Sequence, residues 1–221
     1  MTFGYDTMPN GACSIKNWEN TPAVACMILF SYGGIRDRNF VEPNLDIRLT
    51  KMVQNEVEKK FDSLAWNTAT DLRYVALMIG EALKGCNSRI REANKLLGSK
   101  SYVGGVVCYT DGCNMLAIPF GGGCAYVCSE SVIKPINKKM GTDLIDDALG
   151  CTEEWKSKCF QGTVQQNDRL ILTSGEIAPS VLLPLLKENQ AVAEGGYQNT
   201  LAMQIRAALK KRSLATMEIC F

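Results

Sequence analysis

Hydrophobic positions along the chain fall into two periods, and the change from one to the other organises the reading. Residues 21–32 (TPAVACMILFSY) are almost continuously apolar and predict one or two buried strands that end at Gly33-Gly34. Pro43 and Asn44 then introduce a helical pattern, with Leu45, Leu49, Met52, Val53, Val57 and Phe61 on one side. A second helix is predicted over about residues 70–97. Leu72, Val75, Ile79, Ala82, Leu83, Cys86, Ile90, Ala93 and Leu97 keep its 3.6-residue period, and Gly98 stops it.

From residue 102 the pattern becomes alternating or continuously apolar. Segments 102–110, 114–120 and 124–129, with a short run near Ile133, predict strands, and Asp111-Gly112 marks a hairpin between the first two. Further strands are predicted at 160–164 and 169–174 around a turn at 166–168. Helices follow near 179–189 and 200–212, and a last strand at 215–221. Segregated helices and a mainly antiparallel sheet define an α+β chain. With long helices before and after the strands, the expectation is two sheets packed face to face between helical layers. No internal repeat, low-complexity tract or linker-like break interrupts the 221 residues, so one domain over 1–221 is expected.

Charge narrows the partners. The chain has 24 basic and 23 acidic residues, a net charge of +1, which argues against a nucleic-acid partner. Its one basic run, Lys210-Lys211-Arg212, closes a predicted helix, where cations suit the dipole. No stretch reaches the roughly 18–20 apolar residues of a membrane helix. The first residues carry no charged-then-apolar signal pattern, and a cytoplasmic location is expected. The ten cysteines are then expected to be reduced thiols that pack as small hydrophobes. There is no C-x-x-C pair and no histidine, which opposes a zinc site and removes Ser-His and Cys-His nucleophilic catalysis in their usual forms.

Five segments carry a further pattern. Gly11-Ala-Cys-Ser14-Ile-Lys-Asn17-Trp18-Glu19 resembles the G-x-x-R-x-x-N-E-D motif of the metal-dependent (PPM-type, type 2C) Ser/Thr protein phosphatases. Leu29-Phe30-Ser31-Tyr32-Gly33-Gly34 resembles their strand-ending V-A-D-G-M-G-G, with Tyr32 thirteen residues after Glu19. Val103-Gly104-Gly105-Val106-Val107 is similar to a strand opening in M-G-T-T. Phe120-Gly121-Gly122-Gly123-Cys124-Ala125-Tyr126 is similar to V-G-D-S-R-A-Y. Asn167 to Ile177 resembles G-D-x-L-L-L-C-S-D-G-L, and Ser213-Leu214-Ala215-Thr216 the closing D-N-x-T. The likeness covers about residues 11–221. It implies a four-layer αββα sandwich of two mainly antiparallel sheets flanked by helix pairs. Between Ile133 and Gly150 the chain is shorter than the family's usual insert, so a shortened flap segment is expected.

By the same resemblance, the phosphate-gripping Arg falls on Ser14 and metal-binding Asp residues fall on Glu19, Tyr32, Gly175 and Ser213. Gly33, whose carbonyl is a ligand in the family, is kept. The family's two divalent ions, Mn²⁺ or Mg²⁺, need clustered carboxylates. A neutral phenol, a glycine and a serine do not replace them. The reading is therefore a degenerate site at Ser14, Glu19, Tyr32, Gly33, Gly175 and Ser213, with no metal or cofactor expected. The function expected is that of a pseudophosphatase: a binding or regulatory module with a protein partner, a kinase or phosphoprotein signalling component, and with neither nucleic acid nor membrane. The alternative is a divergent phosphoserine/phosphothreonine hydrolase using Mn²⁺ or Mg²⁺ with relocated ligands. Its candidates are Glu19 and Glu176, with Asp37, Glu42, Asp143, Asp146 and Asp147 near matched segments. A thiol-dependent protein built around Cys124 is a third reading.

Overall fold

A computed structural model describes residues 2–6, 11–32, 44–64, 71–129, 132–137, 146–190, 204–205, 207 and 216–221. Its elements are β1 (Thr2–Asp6), β2 (Ala12–Asn17), β3 (Val24–Tyr32), α1 (Leu45–Ser63), α2 (Leu72–Leu97), β4 (Tyr102–Thr110), β5 (Asn114–Phe120), β6 (Cys124–Cys128), β7 (Ile133–Pro135), β8 (Phe160–Thr163), β9 (Arg169–Thr173), α3 (Pro179–Gln190) and β10 (Thr216–Cys220). The strands form two five-stranded sheets, β2-β3-β4-β5-β8 and β1-β10-β9-β6-β7, with every pair antiparallel.

Burial of both faces explains the unbroken apolar run of β3. Successive strand residues point to opposite faces. Val24, Cys26 and Ile28 therefore enter a core shared with Val106 and Cys108 and, from the other sheet, Ala125, Val127, Leu170, Leu172, Met217 and Ile219. The intervening Ala25, Met27 and Leu29 meet Val53, Val57 and Phe61 of α1 and Val75, Ile79, Leu83 and Ile90 of α2. On the far side, Tyr126, Cys128 and Ile171 pack against Ile177, Leu182 and Leu186 and against Ile205. The layers are thus α1/α2, sheet, sheet, and α3 with helical residues Gln204, Ile205 and Ala207. This is the expected αββα order. The rest of the helix predicted at 200–212, and residues 138–145 of the shortened flap segment, lie outside the described residues. No described helix is long and apolar enough to cross a membrane.

Local chemistry sets the boundaries. Asp71 caps α2, its carboxylate accepting the Arg73 N–H at 2.8 Å. At the β4–β5 hairpin, Asp111 Oδ1 accepts the Cys113 and Asn114 N–H groups at 2.8 and 2.6 Å. Buried Asn87 holds the segment before β8 against α2. Its Oδ1 accepts the Gly150 N–H at 2.7 Å, and its Nδ2 donates to Thr152 O at 3.0 Å.

Two strands add to the predicted set. β1 pairs with β10 at one sheet's edge, and β2 pairs with β3 at the other's. The second has a direct consequence for the site: the segment matched to the first motif is an edge strand running into a hairpin.

Candidate functional site

β3 ends at Tyr32, which lies directly opposite Tyr102 at the start of β4. Beside this end the chain leaves β5 at Phe120, crosses from one sheet to the other through Gly121-Gly122-Gly123, and enters β6 at Cys124. The crossing lies hard against β4. A Cβ on Gly123 would stand 1.9 Å from Gly105 O, and one on Gly104 would stand 2.5 Å from Gly121 O. Gly121 and Gly122 also take positive φ, 54° and 88°. Tyr32 closes the gap: its hydroxyl donates to Gly121 O, and its ring stands edge-on to Phe30 at 5.3 Å between centroids. Burial, with Cys124 adding to it, pushes the Tyr32 phenol up to about 12.

The crossing is tied to the second sheet through Asn137. Its Oδ1 accepts the Ala125 N–H at 2.8 Å and its Nδ2 donates to Gly123 O at 3.0 Å. Half-buried Cys124 lies opposite Thr173 on β9, with its Sγ 3.6 Å from Gly122 O. Burial pushes its thiol up; hydrogen bonds with Tyr126 and Asn137 oppose this, and nearby Glu176 adds to it. Beyond Thr173 the chain turns, Thr173 Oγ1 donating to Gly175 O at 2.6 Å, and Tyr126 Oη accepts the Ile177 N–H at 2.7 Å. Tyr32, Gly121–Gly123, Cys124, Gly175 and Glu176 therefore converge where β3, β6 and β9 meet.

Two expected members do not join them. Ser14 lies mid-strand opposite Met27, five residues back along β3 from Tyr32, about 17 Å at 3.3 Å per residue. Glu19 is exposed in the turn that follows the last β2–β3 pair, Asn17 with Val24; Val24 lies eight residues, or about 26 Å, from Tyr32. A separation of thirteen residues brings two side chains to one strand end only if the hairpin turn falls midway between them. In this chain Glu19 lies in the turn itself. Gly33 and Ser213 lie outside the described residues, as do Asp37, Glu42 and Asp143. Asp147 is engaged elsewhere, taking Lys158 Nζ at 2.9 and 3.1 Å.

The donor set does not fit a pair of hard divalent ions. Such ions are held by clustered, ionised oxygen ligands. Tyr32 offers a neutral phenol already committed to a carbonyl, Gly175 offers no side chain, and Cys124 is a soft ligand whose thiol is pushed up. Glu176, exposed, brings a carboxylate close enough to act on Cys124. Among those residues no group of three His, Cys, Asp or Glu is placed to hold an ion.

No protein-family model and no curated protein matches the sequence. Solved structures do match the fold. The serine/threonine phosphatase Stp1 from Staphylococcus aureus superposes with a TM-score of 0.73 at 13% identity, over 99% of this chain and 93% of that one. The S. agalactiae serine/threonine phosphatase gives 0.73 at 8% identity, over 100% and 98%. The catalytic domain of the phosphatase PstP, solved with two manganese ions, gives 0.63 at 12% identity, over 99% and 98%. The architecture is that of the PPM-type Ser/Thr phosphatases across nearly the whole chain.

Proposed function

We propose that the chain is a phosphatase-like binding or regulatory module that does not hydrolyse phosphoesters, acting in signalling on a kinase or phosphoprotein partner. One observation carries the reading. The strand end that resembles the family's bridging Asp position holds Tyr32, and its phenol is hydrogen-bonded to the carbonyl of the glycine crossing. A carboxylate there would attract ions; a neutral ring with its one proton committed fills space instead. The glycines beside it supply no side-chain ligand for a metal ion.

The test is turnover of para-nitrophenyl phosphate by the full chain with millimolar Mn²⁺ or Mg²⁺. No rate above the protein-free control is expected. Metal-dependent turnover that disappears in Glu176→Gln would overturn the proposal in favour of a divergent hydrolase with relocated ligands.

A further inference from the structure

All ten cysteines are free thiols, and two of them, Cys26 and Cys108, stand directly opposite each other in the β3–β4 ladder. Both enter the core between the two sheets, each 1% exposed, and the two thiols are hydrogen-bonded to each other. Packing alone asks only for a small apolar side chain here, which Ala117 supplies at the next position in the same row.

Register decides which cysteines can be joined. Directly opposed residues on antiparallel strands have Cα atoms about 4.5–5.5 Å apart, within the about 4.4–6.8 Å that a disulfide spans. Cys13 packs on the same core but stands opposite Ile28, and its diagonal to Cys26 is about 7–8 Å. Cys128 and Cys220 oppose Arg169 from either side of β9, which sets them two strand spacings, about 9–10 Å, apart. Among the described residues no other two cysteines face each other across a ladder.

Access decides when they can be joined. Exchange passes through a mixed disulfide with the oxidant, for which a side chain that is 1% exposed has no room. Burial, with Cys26 adding to it, also pushes the Cys108 thiol well up and so removes the thiolate that exchange requires. The pair is closed to oxidants in the folded chain and open to them while the sheets are still apart.

We propose that Cys26 and Cys108 are a disulfide-forming pair that closes when the chain folds in the presence of a small-molecule disulfide, stapling β3 to β4. One cysteine thiolate attacks the oxidant's S–S bond, forming a mixed disulfide and releasing one small thiol. The second attacks the protein sulfur of that mixed disulfide and releases the other. The cysteines are oxidised, the oxidant is reduced to two thiols, and the two cysteine protons end on those thiols. The product is neutral, as an apolar core requires, and closes a loop that contains both α1 and α2.

The test is to refold the full chain from urea with oxidised and reduced glutathione, alkylate it, digest it and map the peptides by mass spectrometry. Two peptides joined through Cys26 and Cys108 are expected, lighter by two hydrogen atoms than their reduced forms and absent in Cys108→Ala. Cys26→Ala gives the same control should Cys108→Ala fail to fold. The joined chain is expected to melt at least about 4 °C above the reduced chain. Glutathione added to the folded, reduced chain is expected to leave both thiols free. Production in an oxidising cellular compartment gives the same readouts should refolding from urea fail. Alkylation of both residues after oxidative folding, or either one joined mainly to a different cysteine, overturns the proposal. So does glutathione attached to either in the folded chain, or a joined chain that melts at or below the reduced one.

Discussion

Replacing Gly123 with alanine adds one methyl group at the tightest point between the two sheets. The added Cβ would lie 1.9 Å from Gly105 O, 2.2 Å from Gly105 C and 2.8 Å from Val106 N. Carbon–oxygen contacts of this kind settle at about 3.3–3.6 Å. The two backbones must therefore separate locally by about an ångström or more. Neither can swing aside as a side chain would: β4 is paired along its length with β3 and β5, and Gly123 O is held by Asn137. Overpacking costs about 1–3 kcal/mol, and a backbone-on-backbone contact belongs at the upper end, about 3 kcal/mol. For a chain of this size about 1 kcal/mol moves the melting temperature by about 2–4 °C, so a fall of about 6–12 °C is expected by circular dichroism or calorimetry. Gly85→Ala is the internal control. Nothing lies within 4 Å of its added Cβ in the middle of α2, and alanine there stabilises by about 0.4–1 kcal/mol. A Gly123→Ala protein melting at or above the wild type refutes this close approach of the sheets. Gly123→Ser, the residue type of the resembled motif, meets the same contact.

Other substitutions separate the remaining parts of the account. Asn87→Ala leaves the Gly150 N–H and Thr152 O without their partner and should cost about 2–3 kcal/mol, read as a lower urea midpoint. Tyr32→Phe removes the hydrogen bond to Gly121 and should cost about 1 kcal/mol near pH 7. An unfolded tyrosine ionises near pH 10 and folded Tyr32 near 12. The Tyr32 contribution is therefore complete below about pH 10 and is lost as pH rises through about 12; a wild-type advantage over Tyr32→Phe that grows across that window would contradict the assignment. Glu19→Gln, in an exposed turn, should change stability by no more than about 0.5 kcal/mol in thermal unfolding. A larger loss would mean that Glu19 holds the β2–β3 turn together, contrary to its exposure.

Much of the fold could be read from period alone. α1 and α2 keep one apolar stripe over five and seven turns, and β3, β4 and β5 are buried on both faces, so their apolar runs are unbroken. β1 and β2 gave no such signal because they are edge strands. In β2 the alternation is present: Cys13 and Ile15 pack on the inter-sheet core between Ser14 and Lys16, but it spans too few residues to stand out. The site divides the same way. Tyr32, Gly121–Gly123 and Gly175 are ends of strongly patterned strands, and their places followed from those strands. Glu19 and Ser14 depended on hairpin register, which is set by where the turn falls and not by spacing between motifs. Asn137, which ties the glycine crossing to β6, bonds residues 12 and 14 positions away and leaves no local mark in the sequence.

Calorimetric titration of the full chain with Mn²⁺ tests the central claim most directly, since it asks whether ions bind, whichever residues hold them. With Tyr32 neutral and committed to Gly121, no saturable heat is expected at micromolar to millimolar Mn²⁺. Binding of two ions per chain, lost or reduced to one in Glu176→Gln, would contradict the account and return the protein to the metal-dependent phosphatases whose fold it shares.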